Sequence, residues 1–374
     1  MEEKVPVHII DTTLRDGEQA PGVAFDKREK IALAMMLDQA HVDELEVGIP
    51  AMGPAAQDEI KAIAGLNPDC LLTAWCRALK DDIDQSLLCN VTGVHISFPV
   101  SDIHLEAMGK TRSWVLNQLS VLIPYALQRF SRVSVGAQDA FRADMAFLEQ
   151  FVHSANLRGA HRVRIADTVG LARPSQVENM VHVLSKAAGK MALEFHGHND
   201  LGMATANTIA AIEAGAQAVS VTVNGLGERA GNAPLEQVVV AAGTLDSRST
   251  CVDARRLSEI CRYVAEAVNR PIPADQPITG QAVFTHESGI HCAGILKNPD
   301  TYQPFNPETV GRERAQLVIG RHSGSGMIRH VLAKAGVRLE EGKTESLMAA
   351  VRMEALKKRS VLSPGELVRI YNTV

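Results

Sequence analysis

The sequence predicts an α/β protein whose parallel sheet is built from eight strand–helix units. Short apolar runs rich in β-branched residues alternate with longer amphipathic runs up to residue 245, a pattern typical of parallel sheets. Eight units in this length fit a closed (β/α)8 barrel, and a doubly wound open sheet is the alternative. No G-x-G-x-x-G turn follows the first strand, which counts against the open sheet.

The predicted strands are the short apolar runs, and the predicted helices are the amphipathic runs between them. Strands are expected near residues 7–14, 45–50, 71–76, 94–99, 132–137, 162–167, 192–198 and 218–224. Helices are expected near residues 27–41, 54–64, 80–90, 113–129, 142–158, 174–188, 202–214 and 234–245. Asp26 and Glu29 have the spacing of a capping box before the first helix. Pro174 suits the first turn of the helix near 174.

The pattern changes after residue 248, which indicates a second and smaller region. Residues 253–269 predict one more helix, and the segment PIPADQPITG at 271–280 has the prolines and the glycine of a linker. Residues 281–374 contain turn-rich segments and two or three predicted helices. We therefore expect a barrel at residues 1–270, followed by a linker and a C-terminal subdomain at residues 271–374.

The composition excludes several classes of function. The chain of 374 residues has 38 basic and 43 acidic residues, so its net charge of −5 gives no reason to expect binding to nucleic acid or to a membrane. The six cysteines form no CxxC pair, which argues against a cysteine-based zinc site. The N-terminus is acidic where a signal peptide is basic, and no apolar run reaches the ~20 residues of a membrane span. Free thiols without a targeting signal predict a cytoplasmic protein.

The stretch DTTLRDGEQ, residues 11–19, follows the apolar core of the first predicted strand. Arg15 and Asp16 are adjacent there, and Gly17 permits a sharp turn directly after them. Ligands of parallel α/β proteins bind at the carboxyl ends of the strands, so this pair marks a candidate site. An ion-paired strand end without a function is the alternative.

A second candidate feature is the pair His196 and His198 at the end of the seventh predicted strand. Residues two apart on a strand point to the same side, so both imidazoles can face one point. Together with the carboxylate of Asp16 they would form a mixed nitrogen–oxygen site for a divalent metal. Three protein ligands leave positions open for a substrate, as a Lewis-acid site requires.

Three motifs carry a resemblance to a known family. DTTLRDGEQAPGVAF at 11–25, HGHND at 196–200 and NGLGERAGN at 224–232 resemble, in this order, the motifs of metal-dependent Claisen-condensing enzymes. These are the 2-isopropylmalate, citramalate and homocitrate synthases, with hydroxymethylglutaryl-CoA lyase as a distant relative. The resemblance covers nearly the whole chain. It implies a (β/α)8 TIM barrel, a smaller and mostly helical C-terminal region, and Mg²⁺, Mn²⁺ or Zn²⁺ as the cofactor.

The resemblance also implies roles for individual residues. It assigns Asp16, His196 and His198 as metal ligands and places Asn232, in the glycine-rich loop after the last strand, at or near the metal. Arg15 would contact the oxo acid and stabilise the developing alkoxide. Gln19 and Thr168 match residues that position the oxo acid in relatives, although a surface turn and a helix cap are their alternatives.

In relatives, a histidine and a tyrosine of the small domain serve the partner subunit and help to deprotonate the acetyl group. His291 and Tyr302 match these two residues in spacing. The resemblance therefore implies that His291 and Tyr302 are catalytic and that the protein is a homodimer with exchanged C-terminal subdomains. A histidine in a structural turn is the alternative for His291.

Within the family, the chain is most similar to the homocitrate synthases of nitrogen fixation. The implied reaction joins acetyl-CoA to 2-oxoglutarate and releases homocitrate and CoA. Lysine-pathway relatives bind the distal carboxylate with an arginine and a serine, but this sequence has Ser134 and Gly136 at those two positions. Gln138 replaces an acidic residue of the relatives. Other groups would then have to bind the distal carboxylate.

Three other functions remain open. A 2-isopropylmalate or citramalate synthase would differ only in the oxo acid. A hydroxyacyl-CoA lyase would carry a reactive cysteine in the loop after the last strand, and residues 224–234 contain none. A metal-binding barrel without catalytic activity would release no CoA with any oxo acid.

Overall fold

The structure, a computed structural model, describes residues 5–245, 248–313 and 316–374. It confirms the predicted fold, because eight parallel strands close into one barrel in chain order. The strands are β1 His8–Asp11, β2 Glu44–Glu46, β3 Leu71–Arg77, β4 Gly93–Pro99, β5 Arg132–Gln138, β6 Arg162–Asp167, β7 Ala192–Gly197 and β8 Ala218–Val221. The barrel closes where β1 pairs with β8, with Asp11 opposite Val221.

Helices follow the strands, and four further helices lie in the C-terminal region. The first ten are α1 Lys27–Gln39, α2 Pro54–Ala64, α3 Lys80–Leu87, α4 Asp102–Ala107, α5 Arg112–Leu127, α6 Met145–Leu157, α7 Pro174–Ala188, α8 Ala204–Glu213, α9 Leu235–Gly243 and α10 Leu257–Ala267. The last four are α11 Gly289–Lys297, α12 Ser325–Lys334, α13 Thr344–Lys358 and α14 Pro364–Tyr371. In the described ranges, every helix is too short or too polar to cross a lipid bilayer.

Several local predictions are confirmed and others are wrong. The bounds of α2 and α7 are those predicted, and Asp26 and Glu29 form the expected capping box at α1. The first strand ends at Asp11 and not near residue 14. The Thr12 carbonyl accepts hydrogen bonds from three backbone amides among the next five residues, and these hydrogen bonds turn the chain. The last strand ends at Val221, since Asn224 adopts a left-handed φ of 56°. The helix α4 was not predicted, and the described part of the C-terminal region has four helices where two or three were expected.

The barrel interior is charged, unlike the bulky apolar layers usual in such barrels. Arg162 donates to Glu44 at 2.8 Å and to Glu194 at 2.6 Å, and Arg164 donates to Glu46 at 2.8 Å and to Glu194 at 2.5 Å. Burial of so many charges is tolerated only when each is paired. Burial opposes ionisation of Glu194, but Arg164 and Arg162 lower its pKa to about 2.

The chain divides into two compact units, Met1–Ile272 and Pro273–Val374. The first contains the barrel. The second has its own apolar core, in which residues of α11 to α14 pack together, including Cys292, Ile328, Leu332, Leu347 and Leu367. Two short parallel strands, Thr285–His286 and Gln316–Leu317, also lie in this unit.

Candidate active site

A cavity of about 260 Å³ lies at the carboxyl end of the barrel strands. The polar and charged residues converge there because every parallel strand ends at the same rim. Its lining residues are Arg15, Asp16, Gln19, Trp75, His95, Ser97, Gly136, Gln138, Arg164, Ala166, Thr168, His196, His198, Glu228 and Arg229.

Asp16, His196 and His198 form a buried cluster in this cavity. His196 Nε2 lies 3.1 Å from Asp16 Oδ2 and 3.3 Å from His198 Nε2. One ligand atom from each residue lies within 4.8 Å of the other two, which suits a single cation. The strand β7 ends at Gly197, so His196 and His198 flank its last residue and present both Nε2 atoms to Asp16.

The charge state of the cluster also suits a cation. Burial opposes ionisation of Asp16, but Arg15 and His196 hold the pKa of this carboxyl well below its usual range. Burial lowers the pKa of His198 to about 4, and the neighbouring His196 adds to this effect. At neutral pH the cluster therefore has an anionic oxygen and a neutral imidazole whose lone pair can bind a metal.

Asn232 lies beside the cluster in the glycine-rich loop after β8. Its backbone forms an antiparallel bridge with His198, and its side-chain amide donates to the Leu226 carbonyl at 2.8 Å. Within the described residues, its buried Oδ1 has no hydrogen-bond partner. A buried oxygen without a partner is costly, and a bound cation or its water would satisfy it. The donor set of nitrogen and oxygen atoms thus fits a divalent metal.

Arg15 connects the cluster to the barrel interior. It forms an ion pair with Glu46, and its NH1 lies 3.3 Å from Asp16 Oδ2. Gln19 is exposed at the rim, with its Oε1 3.5 Å from Arg15 NH1, and the Arg15 guanidinium lies over the Trp75 ring at 5.7 Å. These contacts hold the guanidinium in the cavity, where it can donate to a bound oxygen.

Thr168 also lines the cavity, and it links neighbouring loops. Its Oγ1 accepts from the amide of Asp139 at 2.9 Å, where Asp139 has a left-handed φ of 63°. Its carbonyl accepts from Arg229 at 2.7 Å, and Arg229 is also paired with Asp200. The loops after β5, β6, β7 and β8 are therefore held together around the cluster.

The strand β5 carries Ser134, Gly136 and Gln138, the three positions at which the sequence departs from lysine-pathway relatives. Gly136 and Gln138 line the cavity, while the hydroxyl of Ser134 lies deeper and forms a hydrogen bond with His95 Nδ1 at 2.9 Å. Burial lowers the pKa of His95 to about 3, so this imidazole is neutral.

His291 and Tyr302 lie in the unit Pro273–Val374. Their rings stack with centroids 4.1 Å apart and an interplanar angle of 28°. His291 is in the first turn of α11, and both residues are exposed within this unit. The two residues therefore form one stacked pair.

The sequence analysis missed several residues that shape the cavity: Glu46, Trp75, His95, Ser97, Glu228 and Arg229. A signal was present, because charged residues at every second position, such as Glu44 and Glu46 or Arg162 and Arg164, point to one side of a strand.

Comparisons with known proteins agree over nearly the whole chain. Residues 6–264 match the family model described as HMGL-like, and residues 278–359 match the model described as homocitrate synthase post-HMGL domain-like. A 2-isopropylmalate synthase of Caldanaerobacter subterraneus subsp. tengcongensis is 46% identical, with 99% of this chain and 96% of the relative covered. Homocitrate synthase 1 of Nostoc sp. is 45% identical, with 97% and 96% covered.

A solved structure supports the fold. The HMG-CoA lyase of Bacillus subtilis superposes with a TM-score of 0.64 at 21% identity, with 73% of this chain and 97% of the lyase covered. At this identity the likeness concerns the barrel fold alone. The two sequence relatives carry different substrate names at nearly equal identity, so identity does not select the acceptor.

Proposed function

Because this chain belongs to the HMGL-like family, we propose that it is a metal-dependent acyltransferase that condenses acetyl-CoA with 2-oxoglutarate and releases homocitrate and CoA. The observation that carries the proposal is the buried cluster of Asp16, His196 and His198 beside Arg15 in one cavity. A C-terminal region matching the homocitrate synthase post-HMGL model supports the choice of subtype.

In this proposal the oxo acid binds at the cluster. A divalent cation held by Asp16, His196 and His198, here Mg²⁺, Mn²⁺ or Zn²⁺, would supply a Lewis acid for the keto group. Asn232, whose backbone pairs with His198, would direct its Oδ1, which has no partner among the described residues, towards this position. Gln19 and Thr168 line the same cavity and would orient the oxo acid.

Arg15 would stabilise the negative charge that develops on the keto oxygen. Its guanidinium is held by Glu46 and lies 3.3 Å from Asp16, so it is fixed before the substrate arrives. A donor that is already oriented needs no reorganisation during the reaction, which is why such groups lower barriers strongly. Glu46 therefore acts on the reaction through Arg15.

The acetyl methyl group must lose a proton before its carbon can bond to the keto carbon. We assign this step to the stacked pair of His291 and Tyr302, acting on the barrel of a partner subunit in a homodimer. An imidazole has the basicity for such a transfer near neutral pH. Water then cleaves the thioester, and CoA leaves as the thiol.

The experiment is a product assay with the purified protein, acetyl-CoA, 2-oxoglutarate and each divalent metal in turn. The expected result is release of CoA in equal amount to homocitrate, identified by mass spectrometry, and loss of both after removal of the metal. A protein that releases no CoA with any oxo acid would be a metal-binding barrel without this activity. Cleavage of a hydroxyacyl-CoA without condensation would identify a lyase instead.

One observation favours a second candidate, a 2-isopropylmalate or citramalate synthase. Ser134 and Gly136 leave β5 without the arginine and serine that bind a distal carboxylate in lysine-pathway relatives. An acceptor with an apolar side chain, such as 2-oxoisovalerate or pyruvate, would need neither. The choice between the acceptors is a matter of relative specificity constants.

A further inference from the structure

One wall of the cavity consists of residues from β3, β4 and β5 that carry no formal charge: Trp75, His95, Ser97, Gly136 and Gln138. Each arginine described along this cavity already has a carboxylate partner. Arg15 pairs with Glu46 and Asp16, Arg164 with Glu46 and Glu194, and Arg229 with Asp200. A second carboxylate on the substrate that reached this wall would meet neutral hydrogen-bonding groups there.

His95 is the wall residue whose orientation is most tightly defined. It lies on β4 opposite Ser134 of β5, and both side chains are buried, with 1% and 5% of their surfaces exposed. The Ser134 hydroxyl lies 2.9 Å from His95 Nδ1. This contact fixes one nitrogen of the ring and directs the other nitrogen away from Ser134.

Gly136 explains why the ring can point this way. A methyl group on residue 136 would lie 2.6 Å from His95 Nε2 and 3.0 Å from its Cε1. The first distance is shorter than a side-chain carbon tolerates and the second is tight, so glycine leaves room for the imidazole in this orientation. Since Gly136 itself lines the cavity, Nε2 lies at the cavity wall.

The protonation of the ring then decides what it can recognise. A neutral imidazole has one donor nitrogen and one acceptor nitrogen. When the Ser134 hydroxyl donates a hydrogen bond to Nδ1, the ring proton is on Nε2. The Nε2–H group is then a hydrogen-bond donor at the cavity wall. A carboxylate can only accept, so this tautomer is the one that a distal carboxylate selects.

We propose that His95, oriented by Ser134 and given room by Gly136, donates a hydrogen bond from Nε2 to the distal carboxylate of the 2-oxo acid and thereby determines the preference for a dicarboxylic acceptor. This inference rests on the proposed function. In this inference, His95 contacts the substrate, while Ser134 is a positioning residue that acts through His95.

The test compares two variants of nearly equal shape with two substrates of equal chain length. His95→Gln keeps an amide donor near the position of Nε2, whereas His95→Met removes it. The substrates are 2-oxoglutarate and 2-oxopentanoate, in which a methyl group replaces the distal carboxylate. His95→Met should lower kcat/KM for 2-oxoglutarate about 10- to 100-fold, mainly through KM, and leave kcat/KM for 2-oxopentanoate within about threefold. His95→Gln should retain most of the preference.

Ser134, which lies deeper than the wall and contacts His95, provides an independent variant pair. Ser134→Ala should reduce the ratio of the two specificity constants by about three- to tenfold, because the ring loses the hydrogen bond that sets its tautomer. Ser134→Thr keeps the hydroxyl and should restore the ratio. A role of Ser134 in packing alone would lower stability without changing this ratio, which thermal unfolding of each variant would show.

The outcomes separate this inference from the proposed function. A wild-type enzyme that prefers 2-oxoisovalerate or pyruvate overturns the proposed function, and the inference falls with it. A wild-type enzyme that prefers 2-oxoglutarate, with an unchanged substrate ratio in His95→Met and in Ser134→Ala, overturns the inference alone. If the His95 variants do not fold, the Ser134 pair decides by the same criterion.

Discussion

Asp16 is the residue on which the proposed chemistry depends most. It supplies the anionic oxygen of the cluster, and its carboxylate lies within 3.3 Å of both Arg15 NH1 and His196 Nε2. Burial would favour a neutral carboxyl, but the positive charge of Arg15 and the contact with His196 keep the pKa of Asp16 low. The side chain is therefore an anion near neutral pH, as a metal ligand must be.

Asp16→Asn should keep the fold but weaken metal binding by at least about 100-fold, because the negative ligand charge is lost while the shape is retained. The measurement is the metal content per chain after dialysis against micromolar metal, together with CoA release. Asp102→Asn, an exposed substitution on α4, is the matched control and should behave like the wild type. Full metal content and activity in Asp16→Asn would refute the site.

At the scale of elements, the site depends on the loops that follow the strands. The loop after β8 approaches itself so closely that a methyl group on Gly231 would lie 1.9 Å from the Gly225 carbonyl oxygen. Gly231 also has a φ of 83°, in the left-handed region. This close turn places Asn232 next to His198.

Gly231→Ala should displace this loop, lower the unfolding free energy by about 1–3 kcal/mol and reduce turnover more than it reduces stability. Gly243→Ala is the control, since Gly243 lies at the end of α9 with open space around it and alanine favours a helix. Chemical denaturation and CoA release of both variants would be measured. Equal activity of the two variants would show that the loop geometry is unimportant.

The charged barrel interior predicts a pH dependence of stability. Burial opposes ionisation of Glu44, but Arg162 and His8 keep its pKa well below 4.5. A lowered pKa in the folded state means that Glu44 stabilises the fold fully above pH 4.5 and progressively less as the pH falls below it. Glu44→Gln should cost about 3 kcal/mol at pH 7, because one of the two carboxylate partners of Arg162 is removed.

The measurement is the unfolding free energy at pH 7, 5 and 4. The difference between wild type and Glu44→Gln should be constant from pH 7 to 5 and shrink below pH 4.5. Glu149→Gln, on the exposed face of α6, serves as the control and should have little effect. A difference that grows on acidification would contradict the sign of this argument.

Much of the fold was accessible from the sequence, because the strand–helix alternation is a local signal. The proximity of His196 and His198 was also accessible, since residues two apart on a strand point to the same side. The role that we propose for His95 was not accessible, because it depends on Ser134 and Gly136 of another strand and on a contact of 2.9 Å. The early end of β1 likewise depends on amide hydrogen bonds to the Thr12 carbonyl, which no residue pattern encodes.

At the scale of the whole molecule, the chain consists of a barrel unit and a second unit with its own core. Our proposal assigns the metal cluster to the first unit and the acetyl-deprotonating pair His291 and Tyr302 to the second unit of a partner subunit. The segment at residues 271–280, which links the two units of one chain, is rich in proline, and such segments are stiff and span distance.

Mixing two inactive variants tests this arrangement. Asp16→Ala and His291→Ala homodimers should each be nearly inactive. In a mixed dimer one site would carry both lesions and the other none, so random exchange should restore about a quarter of wild-type activity. The activity is measured as CoA release after denaturation and refolding of the mixture. No recovery under conditions shown to exchange subunits would mean that His291 does not act on the partner's barrel.

The central claim, condensation of acetyl-CoA with 2-oxoglutarate, is tested most directly by one set of specificity constants. Wild-type protein with one metal and saturating acetyl-CoA is assayed for CoA release with 2-oxoglutarate, 2-oxoisovalerate and pyruvate. We expect kcat/KM for 2-oxoglutarate to exceed the other two values by at least about tenfold, as discrimination by a hydrogen-bonded group allows. A larger value for 2-oxoisovalerate or pyruvate would contradict the assignment of this chain as a homocitrate synthase.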